Sequence, residues 1–169
     1  MSGSRPARMR IGNGFDVHRF SDDPERVLVL GGVAFPGEPG LVGHSDADVI
    51  SHAVSEALLG AAGLGDLGEH FPDSDETWAG ADSIRLLAEV VRMVAADGWS
   101  AVNVDCSVVA ERPKLASRRD DMQFALSAIV GAPVSIKGRR AEGMGALGRT
   151  EGVACFASAL IERIEETAL

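Results

Sequence analysis

Within nine residues, His44-Ser45-Asp46-Ala47-Asp48-Val49-Ile50-Ser51-His52 gathers two of the chain's four histidines and two carboxylates. Such side chains hold metal ions, and the start of a helix holds anions. Ser45 followed three residues later by Asp48 has the layout of a capping box, with Asp in place of the usual Glu. It stands ahead of the helically spaced apolar residues Val49, Ile50, Ala53, Val54, Ala57, Leu58 and Ala61. With Ser45 as N-cap, the amides of the first turn face outward at the positive end of the helix dipole, where a phosphate can dock. Asp48 and His52 lie four apart and share a face. A second pair, Asp16 and His18, is two apart in a segment that reads as a strand, so both point to one side and can bind one metal ion. A surface aspartate beside a half-buried histidine is an equally good reading of that pair taken alone. From Gly65 to Asp75, four carboxylates and a histidine fall within eleven residues. This loop is either a connector or a cradle for a polyol, and His70 in it reads as a surface or packing residue.

The elements that must position these residues follow from periodicity and punctuation. Met9 to His18 reads as a strand in which Gly12 and Gly14 admit a close neighbour. Val27 to Leu30 is a short buried strand, whereas Phe35 to Gly40, with Pro36 and Pro39, reads as irregular. A first helix is expected from about Asp46 to Ala61, stopping in the glycines that follow. Asp82 or Ser83 caps a second helix whose apolar face is Ile84, Leu87, Ala88, Val91, Val94 and Ala95, with a packing role only. Val102 to Ala110 is a strand that Pro113 ends, Ser117 to Ile129 a third helix, and Val134 to Lys137 a further strand. Gly138 to Arg149 reads as a flexible loop. The small residues of Val153 to Ile164 satisfy either period.

A chain of 169 residues, 46% hydrophobic and 24% charged, suits one soluble domain over residues 9–169 behind a flexible tail at 1–8. A net charge of -9 argues against nucleic acid, which is bound by neutralising phosphates with Lys and Arg. Basic residues nevertheless cluster at Arg112, Lys114, Arg118 and Arg119, and again at Lys137, Arg139, Arg140 and Arg149, so positive pockets are compatible with an acidic protein. Cys106 and Cys155 lack metal-type spacing and read as reduced, buried thiols of a cytoplasmic protein. No apolar run approaches membrane-spanning length, and the first ten residues lead into no secretory core.

Gly14-Phe15-Asp16-Val17-His18, the His44 to Asp48 stretch with His52, Leu64-Gly65-Asp66-Leu67-Gly68 and Phe71-Pro72-Asp73-Ser74-Asp75 together resemble the 2-C-methyl-D-erythritol 2,4-cyclodiphosphate synthase family of the non-mevalonate isoprenoid pathway. Further matches are Gly80 to Ser83, Ala110 with Pro113-Lys114, and Gly148-Arg149 before Glu151-Gly152. The resemblance covers nearly the whole chain from Met9, and its specificity lies in the order and gaps of the motifs. It implies an α+β fold, a mixed sheet with helices packed on one face, in a homotrimer with active sites between subunits. It also implies a strand at Val153 to Ile161. By the same resemblance Asp16, His18 and His52 hold zinc or another divalent transition metal, with the fourth position open to a substrate phosphate. Glu142 helps hold magnesium or manganese at the diphosphate. His44, with Ser45, contacts the methylerythritol phosphate and assists the transition state. Asp66, Leu67, Gly68, Phe71, Pro72, Asp73, Ser74 and Asp75 line the polyol part. Ala110, Pro113, Lys114 and Leu115 form the cytidine pocket on a neighbouring subunit. Phe15 and Arg149 line a cavity on the threefold axis. The reaction implied is attack of the 2-phosphate of 4-diphosphocytidyl-2-C-methyl-D-erythritol 2-phosphate on the β-phosphorus, with CMP leaving.

The chain departs from the family at Arg139-Arg140-Ala141, where a run of threonines precedes the metal-binding Glu in most members. The threonine matching Arg140 is one to which the family assigns transition-state assistance. An arginine there either donates bidentate hydrogen bonds to a phosphate or fills the site and blocks it. Ala146, Ala79 and Asn13 replace a common phenylalanine, lysine and histidine. The expectation is an active cyclase with an arginine-modified phosphate clamp. The competing expectation is a trimeric zinc protein that binds diphosphate or isoprenoid ligands without turnover. A zinc-dependent hydrolase is weaker, since only Asp48 or Asp66 offers a base near the metal, and Asp48 is more simply a helix cap or a partner that orients a metal-bound imidazole.

Overall fold

A computed structural model describes residues 8–72, 74, 75, 78 and 80–165. The expected tail, apart from Arg8, and positions Asp73 and Ala79 lie outside them.

The long apolar run after His44 forms α1 (Val49–Ala62), and eleven of its residues are buried, so it is the central helix rather than a surface one. Beside it run β1 (Met9–Arg19), β2 (Val27–Leu30) and β3 (Val33–Pro39). There follow α2 (Leu67–His70), α3 (Ser83–Ala96), β4 (Trp99–Val109), α4 (Arg119–Val130), β5 (Val134–Arg139), α5 (Gly145–Gly148) and β6 (Gly152–Arg163). The main sheet has the order β1-β6-β4-β5, antiparallel except for the parallel β4 and β5 pair, and β2 with β3 makes a separate ribbon. This is the expected mixed sheet. Of the stretch 153–164, ambiguous by periodicity, all but Ile164 is strand because β6 is flanked on both sides: its inward residues pack on α1 while its backbone pairs with β1 and β4. Among the described residues no helix is long and apolar enough to cross a membrane.

The contact that sets the arrangement is between α1 and β1. A Cβ on Gly12 would lie 1.9 Å from the Ala57 carbonyl oxygen, and one on Gly14 would lie 2.0 Å from that of Ala53. Backbone therefore meets backbone, and Ala53, Ala57 and Ala61 form the small stripe that permits it. One step further along β1 on the same face is Asp16, and one residue before Ala53 is His52.

Several expectations need correcting. Ser45 does not cap α1. The cap is Asp48, whose carboxylate accepts the amides of Ile50 and Ser51, and the helix begins at Val49. The presence of two Asp residues in the loop leaves the cap to whichever has the extended backbone next to the first turn, and Ala47, at φ 59°, separates Ser45 from that turn. Residues Phe35 to Pro39 are strand, not irregular, because a two-stranded ribbon leaves one side of β3 unpaired and tolerates Pro36 and Pro39. The second helix is capped by Asp82 and buries Ser83, Leu86, Leu87, Val90 and Val94; of the expected face Leu87 and Val94 are buried, Ile84 and Val91 pack partly on the core, and Ala88 and Ala95 are exposed. The flexible loop of 138–149 is shortened at one end by β5 and closed by the single turn of α5.

Replacing Gly14 by Ala forces the new methyl against a helix carbonyl that has no rotamer to adopt. We expect Gly14→Ala to lower stability by about 1–3 kcal/mol, the usual cost of overpacking. Metal affinity at Asp16, His18 and His52 should fall with it, read by urea denaturation and by metal titration of the folded fraction.

Candidate active site

Because β1 and α1 are locked in register, Asp16, His18 and His52 converge. Asp16 Oδ2 lies 3.0 Å from His18 Nε2 and 3.0 Å from His52 Nδ1, and the two ring nitrogens are 3.4 Å apart. Tetrahedral coordination with bonds of about 2.0–2.1 Å requires ligand separations of about 3.3 Å, so this triangle fits one ion held by three ligands with the fourth position open. Among the described residues it is the one cluster of metal-ligating side chains. Burial pushes the Asp16 carboxyl up, but hydrogen bonds and charge from His18 and His52 overcome this and hold it well below the ordinary carboxylate range. Burial pushes His18 down, and its hydrogen bond and attraction to Asp16, with the Val42 carbonyl behind it, reverse the sign and raise it.

The rear edges of both imidazoles are fixed. His18 Nδ1 donates to the Val42 carbonyl at 2.7 Å, leaving Nε2 as the ligand atom. His52 Nε2 meets Ser83 Oγ at 2.9 Å and Ser45 Oγ at 3.1 Å. Ser83 Oγ has one proton and gives it to Asp46 Oδ1, with which it makes a short contact, so it can only accept from His52. The proton on Nε2 leaves the Nδ1 lone pair pointing at Asp16 and the ion. Asp46 is itself held by the amides of Ser83 and Asp48. Sequence reasoning gave the second helix no functional role and so missed Ser83 and Asp46 as a support for the ligand. Only a fold that brings α3 against the His44 loop makes that role visible.

Asp48 does not orient an imidazole. Fully buried, it accepts from the amides of Gly31, Gly32, Ile50 and Ser51 and from the Ser51 hydroxyl. Burial pushes its carboxyl up against the pull of those donors. The α1 amides expected to receive a phosphate are thus already occupied by this side chain.

The triangle opens into a cavity of about 240 Å³ lined by Asp16, His18, His44, Ser45, His52, Leu67, Gly68, Phe71, Trp78 and Leu86. Its aromatic wall is Phe71 set edge-on to Trp78 at 4.9 Å, and Trp78 is an addition to the expected lining. Asp66 caps α2 by accepting the Glu69 amide, and His44 Nε2 meets the Asp75 carbonyl at 3.3 Å. Asp66, Pro72, Ser74 and Asp75 flank the cavity rather than line it. His70 donates to the Leu64 carbonyl, a packing role as expected.

The other predicted residues assemble elsewhere. Ala110, Pro113, Lys114, Leu115, Arg139 and Arg140 line a second cavity of about 250 Å³, joined by Glu111 and Arg119. In register across the sheet, Asp16 faces Cys155, Cys155 faces Val108 and Val108 faces Gly138. Val108 and Gly138, which line the second cavity, are thus two and three strand spacings from Asp16, roughly 10 and 14 Å. Arg140 is bound to Glu111, Nε to Oε2 at 2.8 Å, and Ala141 donates its amide to the same carboxylate. Glu142 is exposed with φ 52° and is not part of the metal triangle. Arg149 pairs with Glu151 at 2.6 Å. Cys106 and Cys155 are free and buried, and the Cys155 thiol is pushed up by its hydrogen bond with Cys106 and by burial.

The model of the YgbB family matches residues 9–162. The curated 2-C-methyl-D-erythritol 2,4-cyclodiphosphate synthase of Thermosynechococcus vestitus is 50% identical over 158 residues, covering 92% of this chain and 97% of that protein. Among solved structures, the bifunctional IspDF of Campylobacter jejuni superposes with a TM-score of 0.88 at 37% identity, over 93% of this chain and 43% of that one. A CDP complex of IspF from Plasmodium falciparum gives 0.80 at 30% identity, over 93% of this chain and 97% of its own.

Removing the acceptor behind His52 tests the tautomer argument. Ser83→Ala should weaken zinc binding about 10- to 100-fold, the usual effect of losing a partner of a metal-bound imidazole. Competition with a chromophoric chelator measures it, and unchanged affinity would show that Ser45 alone suffices.

Proposed function

The chain belongs to the YgbB family, and on that premise we propose how it works as a 2-C-methyl-D-erythritol 2,4-cyclodiphosphate synthase. It converts 4-diphosphocytidyl-2-C-methyl-D-erythritol 2-phosphate to the cyclic diphosphate and CMP. The observation that carries the reading is the Asp16, His18 and His52 triangle at the mouth of a cavity that also contains His44 and Ser45. A divalent ion of the zinc type held there supplies a Lewis acid for a phosphate oxygen. His18 and His52 present the ligand atoms selected by Val42 and Ser83, and Asp16 supplies the negative charge. His44 and Ser45 stand beside the triangle to hold the methylerythritol phosphate. Glu142, a hard oxygen donor, suits magnesium or manganese at the diphosphate. Ala110, Pro113, Lys114 and Leu115 suit the cytidine, in keeping with the CDP complex of the Plasmodium falciparum relative. Nucleophile and leaving group are both phosphates, so neither needs a strong base or acid. Positioning and charge neutralisation supply the rate.

A homotrimer completes this site. Within one chain the two cavities lie on different strands of the sheet, and a neighbouring subunit can bring its cytidine cavity directly to the triangle. The sheet face away from the helices supports it: Met9, Ile11, Phe15, Val17 and Phe156 are all about half exposed or more, and Phe15 packs on Phe156 with ring centroids 4.8 Å apart. An apolar sheet face of this kind is normally covered. The binding-only reading is not favoured, since curated synthases match the chain along nearly their whole length.

Phosphorus NMR of the protein with substrate, zinc and magnesium should show CMP and the cyclic diphosphate, and His52→Ala should abolish both. Binding without product would sink the cyclase reading. Ile11→Asp places a charge on the apolar face and should give monomers by sedimentation. Those monomers should keep the zinc triangle and lose turnover, whereas an active monomer would refute a site shared between subunits.

A further inference from the structure

Glu111 has a place in this geometry that its sequence position does not announce. It follows the last strand residue of β4 by two, and its side chain is only 9% exposed although it ends in a charge. Its carboxylate is surrounded by donors from one short stretch of chain. Arg140 gives Nε at 2.8 Å and a terminal nitrogen at 2.6 Å, both to Oε2, and the Ala141 amide gives 3.0 Å to Oε1. The Gly143 backbone also donates to it. The residue bracketed by these contacts is Glu142, which holds φ 52°, a left-handed conformation that a side chain adopts at a cost of about 1–2 kcal/mol. Ala110, next to Glu111, donates its amide to the Arg139 carbonyl at 3.0 Å, so the strand ends on either side are tied as well.

The same contacts divide Arg140. Of its five N–H groups, Glu111 takes one edge of the guanidinium. The side chain as a whole is 70% exposed, at the mouth of the second cavity, beside Lys114 and Arg139. An arginine anchored on one edge can offer the other to a phosphate without losing the rotamer freedom that a loose side chain would lose. Arg140 therefore neither blocks the cavity nor swings freely in it.

We propose that Glu111 is a positioning residue of the cyclisation: its half-buried carboxylate fixes the 140–143 turn so that the Glu142 carboxylate and the free edge of Arg140 face the substrate diphosphate together. This rests on the reading of Glu142 and the second cavity given above. In place of the family's threonine hydroxyl, this chain has a charge pair that organises the turn from behind.

Glu111→Gln keeps an oxygen for the Ala141 amide and removes the charge that holds Arg140. It should lower kcat by about 10²-fold, as expected for a misplaced catalytic group, while KM changes by about 3-fold or less. It should also raise the magnesium concentration needed for half-maximal rate. Arg140→Gln should lower kcat similarly, and the double variant should be little worse than either single one, because the two act as a unit. Independently of activity, amide hydrogen exchange at Ala141 and Gly143 should accelerate about 10-fold or more in Glu111→Gln, with zinc content and trimer unchanged. Unchanged exchange, or additive loss in the double variant, would overturn the proposal. If the unaltered protein makes no cyclic diphosphate, the functional reading fails, and exchange at the two amides still decides whether Glu111 holds the turn.

Discussion

Backbone-to-backbone contact between β1 and α1 underlies the rest of the molecule. Gly12 and Gly14 remove the side chains that would keep a helix at the usual distance from a sheet, and Ala53, Ala57 and Ala61 remove them from the other side. At such close range the two elements cannot slide: the carbonyls of Ala53 and Ala57 sit in the places of the missing methyls. That fixed register is what allows two ligands from a strand and one from a helix to meet with separations of 3.0–3.4 Å, without a loop having to be ordered by the ion.

Two carboxylates, Asp48 buried and Glu111 half-buried, finish what this contact begins, each by collecting donors. Asp48 caps α1 and simultaneously ties down Gly31 and Gly32 at the end of β2, so the ribbon, the helix start and the loop carrying His44 form one unit. Glu111 does the same for the turn beyond β5. At Asp48 the donors are mostly backbone amides that would otherwise lack partners, which makes the burial of its charge tolerable, whereas at Glu111 the Arg140 guanidinium joins the amides. Asp46 adds a third instance on a smaller scale, reaching His52 through Ser83.

Charge is distributed to match. A chain of net charge -9 pairs many of its cations on the surface, as in Arg92 with Glu89 and Arg118 with Asp121. It leaves Lys114 and Arg139 without an acidic partner among the described residues, at the second cavity. Local positive potential at this cavity is compatible with an acidic exterior because the field that matters at that range is set by the cavity walls.

The ligand set, the strand at Met9, the order of most elements and the family were legible in the residues themselves. Asp16 and His18 at strand spacing, His52 in a helical apolar pattern, and glycine before the ligands are local facts, and local facts are what sequence spacing records. The cap of α1 was misread because Ser45 and Asp48 have the same cap propensity, and the choice depended on an Ala47 backbone conformation that no side chain signals. The strand nature of 152–163 was not in its period, because a run of small residues suits either a helix or a central strand, and only pairing on both sides decides. Ser83, Asp46 and Glu111 carry types found in any loop or helix start. What assigns them a function is who faces them across 31 to 37 residues of chain in the one case and 29 to 30 in the other. The sequence by itself determined which side chains could meet as a metal-binding group. The tertiary structure alone decided which nitrogen of each histidine faces Asp16, and that the two cavities lie on different strands of the sheet, because tautomer and distance depend on contacts between segments that the sequence does not place side by side.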